Sequence, residues 1–443
     1  MKTILLLGAG KSSGTLIQYL LNNSTSDDFI LKVGDLSLSA AKSKVNNHPN
    51  AIAFEFSIDN IKQRESEIQN ADLIISLLPP ALHILAARDC VRFKKNLVTA
   101  SYVSDEIQGL HQDAVSADIL LLNECGLDPG IDHMSAMEII HRIKNLGGEI
   151  TSFKSYTGGL VAPESNDNPW GYKFTWNPRN VIVAGQGTAK YISNGEYKYI
   201  PYQRLFSEIE KVVVDGHGEF DGYANRDSLS YRKQYGLDSI PTLMRGTLRY
   251  KNYCTAWQAF VTLGLTDDSY KIENAEHLTF AQIVESLIPS SVKGNTIAEK
   301  VADLCGLELN GEIMNMISYT GVFENIKTNL TNVSPAQVLQ HLLEQKWVLK
   351  EGDKDMIVMQ HIFEYKLNGT IKHLTSSLVV KGDDTTNTAM AKTVGLPLAI
   401  AARHILRGDI KLKGVQIPVR AELYEPILKE LTELGICFTE SEG

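Results

Sequence analysis

The stretch ILLLGAGKSSG, residues 4–14, decides the fold. Its first four residues, Ile4 to Leu7, form a short apolar strand that runs into Gly8, Gly10 and Gly14. A helical pattern with Leu16, Ile17, Leu20 and Leu21 follows. In such a strand–turn–helix unit the first glycine permits a tight turn. The second lets backbone approach a pyrophosphate, and the last lets the helix pack near the strand. The helix N-terminus offers free N–H groups to the anion, with Ser12 and Ser13 as extra donors. Gly14 comes one place later than in the commonest spacing, but a strand before and a helix after support the reading. A P-loop would need glycine at position 5, where Leu5 stands, so Lys11 reads as a solvated neighbour of the phosphates.

Working outward, Phe29–Val33, Ala51–Phe56, Asp72–Leu78, Leu97–Ala100 and Ile119–Leu122 read as further strands separated by helical stretches. This alternation predicts βαβ units and a parallel sheet whose ligands lie beyond the C-terminal strand ends. Asp35 ends the second strand. A carboxylate there accepts from the adenosine ribose hydroxyls and repels a 2′-phosphate, which favours NAD and leaves NADP possible. Asp35 also reads as a helix N-cap, and the two roles can coexist. Leu77 and Leu78, before Pro79-Pro80, and Thr99 fall at strand ends that face the cofactor.

Beyond about Gly147 the chain turns rich in Gly, Pro, Tyr and Asn, with strand-like pieces at Val181–Ala184 and Thr247–Tyr250. This predicts an α+β substrate domain. Residues from about Asn274 to Lys350 read as helical. Met356–Lys366 and Ile371–Val380 alternate around Asn368-Gly369, a hairpin signal. Thr385–Leu406 reads as a long Ala-rich helix, followed by a short basic turn and a last helix.

Two further loops invite a substrate. Thr99-Ala100-Ser101-Tyr102 ends the fifth strand. Residues 123–133, NECGLDPGIDH, combine two glycines, a proline and several carboxylates, which fits either a loop of required shape or an irregular turn with a helix cap. Arg226 and Arg249 suit bidentate carboxylate recognition, although surface ion pairs would use them equally well.

The 443 residues allow two or three domains. A net charge of −9 and 52 acidic against 43 basic residues argue against nucleic acid or an anionic membrane as partner. Five scattered cysteines form no CxxC pair, and no histidine spacing suits a metal, so reduced thiols, no metal and a cytoplasmic protein are expected. The apolar run at residues 3–7 is too short for a secretory signal, and no stretch suits a bilayer span.

The sequence resembles the glutamate-forming saccharopine dehydrogenases, especially the dehydrogenase half of the bifunctional plant and animal lysine-degrading enzymes. The resemblance is carried by LVTASYVSDE (97–106), NECGLDPGIDHMSAMEII (123–140), SYTGGLVAPESNDNPWGYKFTWNPR (155–179), NRDSLSY (225–231), RGTLRY (245–250) and TTNTAMAKTVGLPLAIAA (385–402). It implies an α/β fold: a Rossmann-like domain with an inserted mixed α+β substrate domain and a helical subdomain. The expected boundaries are 1–125 for the dinucleotide domain, 126–273 with 351–384 for the substrate and dimerisation domain, and 274–350 for the helical subdomain. Residues 385–443 return to the first domain.

The resemblance also implies NAD(P)-dependent oxidation of the secondary amine of saccharopine, with imine hydrolysis to glutamate and 2-aminoadipate 6-semialdehyde, and a homodimer. Ser101, Tyr102, Asp128, Arg226, Thr247 and Arg249 match substrate-holding positions, with Tyr102 and Asp128 as candidates for proton transfer. Fungal members carry arginine where this chain has Asp35 and use NADP, which points this chain toward NAD. The rival readings are a polyamine-forming imine reductase relative and a noncatalytic dinucleotide-binding regulator.

Overall fold

The computed structural model describes residues 1–443, which divide into two compact units. The first comprises Met1–Glu149, Leu367–Thr370 and Leu378–Thr439; the second comprises Ile150–Lys366, Ile371–Ser377 and Glu440–Gly443.

The first unit holds a seven-stranded sheet. Its strands are β1 (Lys2–Leu7), β2 (Phe29–Asp35), β3 (Ala51–Glu55), β4 (Leu73–Ser76), β5 (Asn96–Thr99), β6 (Leu120–Leu122) and a short strand at Gly414–Gln416. From that short strand the order runs β6-β5-β4-β1-β2-β3, and every pairing is parallel. Ile4 to Leu7 and Leu73 to Ile75 are fully buried, as expected when helices cover both faces. The strand order reverses between β1 and β4, and this switch point opens the crevice where a doubly wound sheet takes its ligand.

The C-terminal residues complete this unit. Thr388 caps the helix Ala389–Arg407 by accepting from Ala391 N–H at 2.9 Å. That helix crosses the first helix, Gly14–Asn23, where Gly395 faces Leu16 closely enough that a Cβ would stand 3.1 Å from it. The strand Gly414–Gln416 falls where the sequence suggests only a turn; three residues are too few for periodicity to register. The compact unit's main segment runs on past 125 to Glu149. The helix Ile131–Asn145 packs on Ala421–Glu433, with His141 Nδ1 and Tyr424 Oη 2.7 Å apart.

The second unit carries a nine-stranded sheet. Its strands include β7 (Glu149–Val161), β8 (Ala189–Ser193), β9 (Glu196–Ile200), β10 (Ile209–Val214), β11 (Gly218–Ala224), β12 (Thr242–Tyr250), β13 (Asp355–Leu367) and β14 (Thr370–Lys381). The spine runs β10-β11-β12-β7-β13-β14 and ends on Thr439–Glu442. Asn368 and Gly369 both have positive φ, 51° and 78°, which is the turn that an Asn-Gly hairpin demands.

Val181–Ala184 is not a strand. Asn177 accepts from Arg179 N–H and Pro178 opens the short helix Pro178–Ile182, so N-capping prevails over β-branched character. The helices between 274 and 350 belong to the second unit and share its core. Trp170 stacks on Phe260 and meets Trp347 edge-on, and its Nε1 donates to Met316 O at 2.7 Å. Aromatic rings from loop, helix and helical stretch thus form one cluster, so 274–350 does not stand apart as a compact unit. No helix is long and apolar enough to cross a membrane.

Candidate functional site

The glycine loop sits at the switch point. Gly8 has φ 102°, donates to Gly34 O at 2.8 Å, and lies so near Leu77 that a Cβ would meet its carbonyl at 3.0 Å. Leu77 in turn donates to Leu7 O at 2.8 Å, and Leu77 and Leu78 are half-buried beside the loop. Gly10 is exposed, with open space where a Cβ would stand, as an approaching pyrophosphate requires. A 3-10 turn, Lys11–Ser13, leads into the helix from Gly14. These features fit a dinucleotide. Ser13 is buried and its hydroxyl donates to Gly10 O at 2.9 Å, so it braces the loop, while Ser12 is half-buried.

Asp35 accepts from Ala9 N–H at 2.7 Å and from Ser37 N–H at 2.8 Å. It therefore ties the end of β2 to the glycine loop. The cap of the following helix, Leu38–Val45, is Ser37, not Asp35. That helix returns Lys44 to the loop, where its Nζ donates to Gly10 O. Burial pushes the Lys44 ammonium below its ordinary pKa, and the Asp35 charge opposes the shift. Lys44 stands nine residues from Asp35 in sequence, and the helix between them, not adjacency, brings it to the loop.

At the ends of β4 and β5 lies a second residue that the sequence reading missed. His83 opens the helix His83–Phe93 and is 1% exposed. Its Nδ1 meets Ser76 Oγ at 2.8 Å and its Nε2 meets Ser101 Oγ at 2.7 Å, with Thr99 Oγ1 at 3.5 Å. Burial pushes the imidazole pKa down to about 4, so it is neutral near pH 7.

The 123–133 loop has the shape its glycines suggest. Gly130 has φ 149°, and a Cβ there would stand 2.1 Å from Gly126 O. A Cβ on Gly126 would meet Ala100 at 2.9 Å, so this loop presses directly on the one bearing Ser101 and Tyr102. The Asp128–Pro129 peptide is cis. Tyr102 Oη lies 3.3 Å from Asp128 Oδ1. Glu124 holds both sides of Tyr102: its N–H donates to Ser101 O at 3.0 Å, and its Oε1 accepts from Val103 N–H at 3.1 Å. Its other oxygen meets His133 Nε2 at 2.9 Å. The first unit thus brings Ser101, Tyr102 and Asp128 together.

In the second unit Thr247 and Arg249 lie on β12, opposite Tyr223 and Asp221 of β11. Arg249 is only 6% exposed. Its guanidinium lies 5.3 Å from the rings of Tyr172 and Tyr253 and 6.0 Å from Tyr223. Burial raises the pKa of all three hydroxyls, so they stay neutral. Nη1 donates to Leu248 O at 2.8 Å, and Nε has no partner. The cross-strand carboxylate, Asp221, pairs with Lys211 instead, at 2.8 Å. Arg249 is therefore a buried cation without a carboxylate partner. Arg226 is exposed, in a bend after β11, with φ 48°.

Comparison with known proteins agrees along the whole chain. Residues 4–122 match the saccharopine dehydrogenase NADP binding domain, and residues 126–436 match the saccharopine dehydrogenase C-terminal domain. The saccharopine dehydrogenase [NADP(+), L-glutamate-forming] of Pyricularia oryzae is 31% identical over 440 residues, covering 98% of this chain and 97% of that protein. The mitochondrial alpha-aminoadipic semialdehyde synthase of Bos taurus is 36% identical over 459 residues, covering 99% of this chain and 47% of that protein. The chain thus spans about half the length of that relative. The solved apo saccharopine dehydrogenase (L-Glu forming) of Saccharomyces cerevisiae superposes with a TM-score of 0.89 at 30% identity, covering 100% of both chains. Fold, both domain matches and these relatives agree, and the chain belongs to the saccharopine dehydrogenase family.

Proposed function

We propose that this protein is an NAD(P)-dependent, L-glutamate-forming saccharopine dehydrogenase of lysine metabolism. The fungal relatives that match end to end are named NADP(+), L-glutamate-forming saccharopine dehydrogenases. The observation that carries the reading to this chain is Arg249. Burying a guanidinium without a carboxylate partner costs roughly several kcal/mol. A substrate carboxylate that enters the tyrosine-lined site supplies the missing charge, and saccharopine has three carboxylates. A polyamine would instead set ammonium groups against Arg249.

Gly8, Gly10, Ser12, Gly14, Leu77, Leu78 and Thr99 are the residues proposed to hold the dinucleotide, with Ser13 bracing the loop. A dinucleotide held there would supply the hydride acceptor for oxidation of the substrate. The hydride leaves the lysine-side carbon next to the secondary nitrogen, and the nitrogen gives up a proton. The resulting imine adds water and splits to glutamate and 2-aminoadipate 6-semialdehyde. Tyr102 and Asp128 form the pair proposed to accept and return these protons. Ser101, Arg226, Thr247 and Arg249 hold the substrate.

Asp35 supports NAD as the preferred cofactor, and Lys44 supplies a cation that lets NADP be used as well. The family resemblance adds a homodimeric, cytoplasmic enzyme to the proposal, and sedimentation of the purified chain tests the assembly. The test of the activity is absorbance at 340 nm with L-saccharopine and NAD or NADP. Reduction of either cofactor supports the substrate. Silence with both, alongside measurable dinucleotide binding, overturns it.

A further inference from the structure

His83 is buried, touches no charged group among its hydrogen-bond partners, and uses both ring nitrogens. A neutral imidazole carries one N–H, so one nitrogen donates and the other accepts. Which does which follows from the hydroxyls around it. Ser76 Oγ is fully buried at the end of β4, and His83 Nδ1 is its hydrogen-bond partner. A buried hydroxyl proton needs an acceptor. Ser76 therefore donates to Nδ1, and the ring proton sits on Nε2.

Nε2–H then points at Ser101 Oγ at 2.7 Å, with Thr99 Oγ1 as a longer second acceptor at 3.5 Å. The opposite tautomer would leave the Ser76 proton without an acceptor, and Ser101 would spend its own proton on the bare Nε2 at 2.7 Å. With Nε2–H donating, a lone pair of Ser101 is occupied and its own proton is released. Ser101 is half-buried and adjoins Tyr102, so this proton is available to a ligand carboxylate.

We propose that His83 is a positioning residue: held in the Nε2–H form by Ser76, it turns Ser101 into a hydrogen-bond donor toward the substrate. This rests on the saccharopine reading for the identity of the substrate, but the tautomer does not.

Two measurements on the full-length protein test it. Ring nitrogen NMR, assigned with H83F, should show His83 with a bare Nδ1 and a protonated Nε2; the reverse overturns the proposal whatever the substrate is. Steady-state kinetics with H83F, S101A and the double variant should show KM for saccharopine raised about tenfold in each single variant, the order expected for one lost charge-assisted hydrogen bond. The double variant should be no worse than S101A, dinucleotide affinity should hold, and H83Q, whose amide N–H can still reach Ser101, should recover much of the loss. An unchanged KM in S101A, or an H83F penalty undiminished when Ser101 is already alanine, overturns the proposal. If the wild type does not turn saccharopine over, the substrate reading fails and the NMR spectrum still decides the tautomer.

Discussion

Tyr102 donates its hydroxyl to Oδ1 of Asp128 at 3.3 Å, across 26 residues of chain. A phenol resting on a carboxylate is suited to passing a proton between bulk water and a reacting amine. Asp128→Asn keeps the shape and removes the proposed base. Its kcat should fall about 10²–10⁴-fold, the range for losing a general acid–base group, with dinucleotide affinity unchanged. Its kcat/KM–pH profile should also change shape. A profile that superimposes on the wild type would assign Asp128 to positioning alone.

Glu124 grips the backbone on either side of Tyr102 and is itself held by His133. Glu124→Ala removes the acceptor from the Val103 N–H. A loss of about 2 kcal/mol lowers Tm by roughly 4–8 °C in a unit of this size. Hydrogen exchange at residues 101–103 should rise with it. An unchanged melting curve would mean that the loop is held by its glycine geometry without this clamp.

Arg249 separates function from stability. Arg249→Met should raise KM for saccharopine about 10²-fold or more, as expected for a lost carboxylate contact. It should leave Tm equal or higher, since it removes an uncompensated buried cation. A variant that melts markedly earlier would show Arg249 to be structural. Calorimetry and kinetics on the same preparation decide between these.

On the proposed reading, Asp35 and Lys44 set the balance between cofactors. Asp35→Ala removes the charge that opposes a 2′-phosphate and should shift the NADP/NAD ratio of kcat/KM about tenfold toward NADP, one ordinary charge interaction. Lys44→Ala should move the same ratio the other way. Equal ratios in wild type and both variants would place cofactor choice elsewhere.

Much of this was legible in the chain. Gly8 and Gly10 after Ile4–Leu7 announce a turn that brings backbone to an anion, because few other residues reach those dihedrals or leave that space. Asn368-Gly369 announces its hairpin for the same reason. Val181–Ala184 has the β-branched look of a strand, but the Asn177-Pro178 pair just before it starts a helix. His83 and Lys44 carry no signal in the sequence, because each stands alone there and only the fold gives it a partner.

The sequence by itself determined the parallel sheet, the glycine loop and the shape of the 123–133 loop, since these depend on local dihedrals, short apolar runs and strand ends. Only the tertiary structure decided the chemistry of single side chains. Ser76 from the end of β4, and Thr99 and Ser101 from the end of β5, meet on one imidazole. Arg249 became a candidate anion site only when folding buried it among tyrosines and gave Asp221 to Lys211. Charge and hydrogen-bond character depend on what surrounds a group in space, and linear order does not encode which distant residues will exclude water from it.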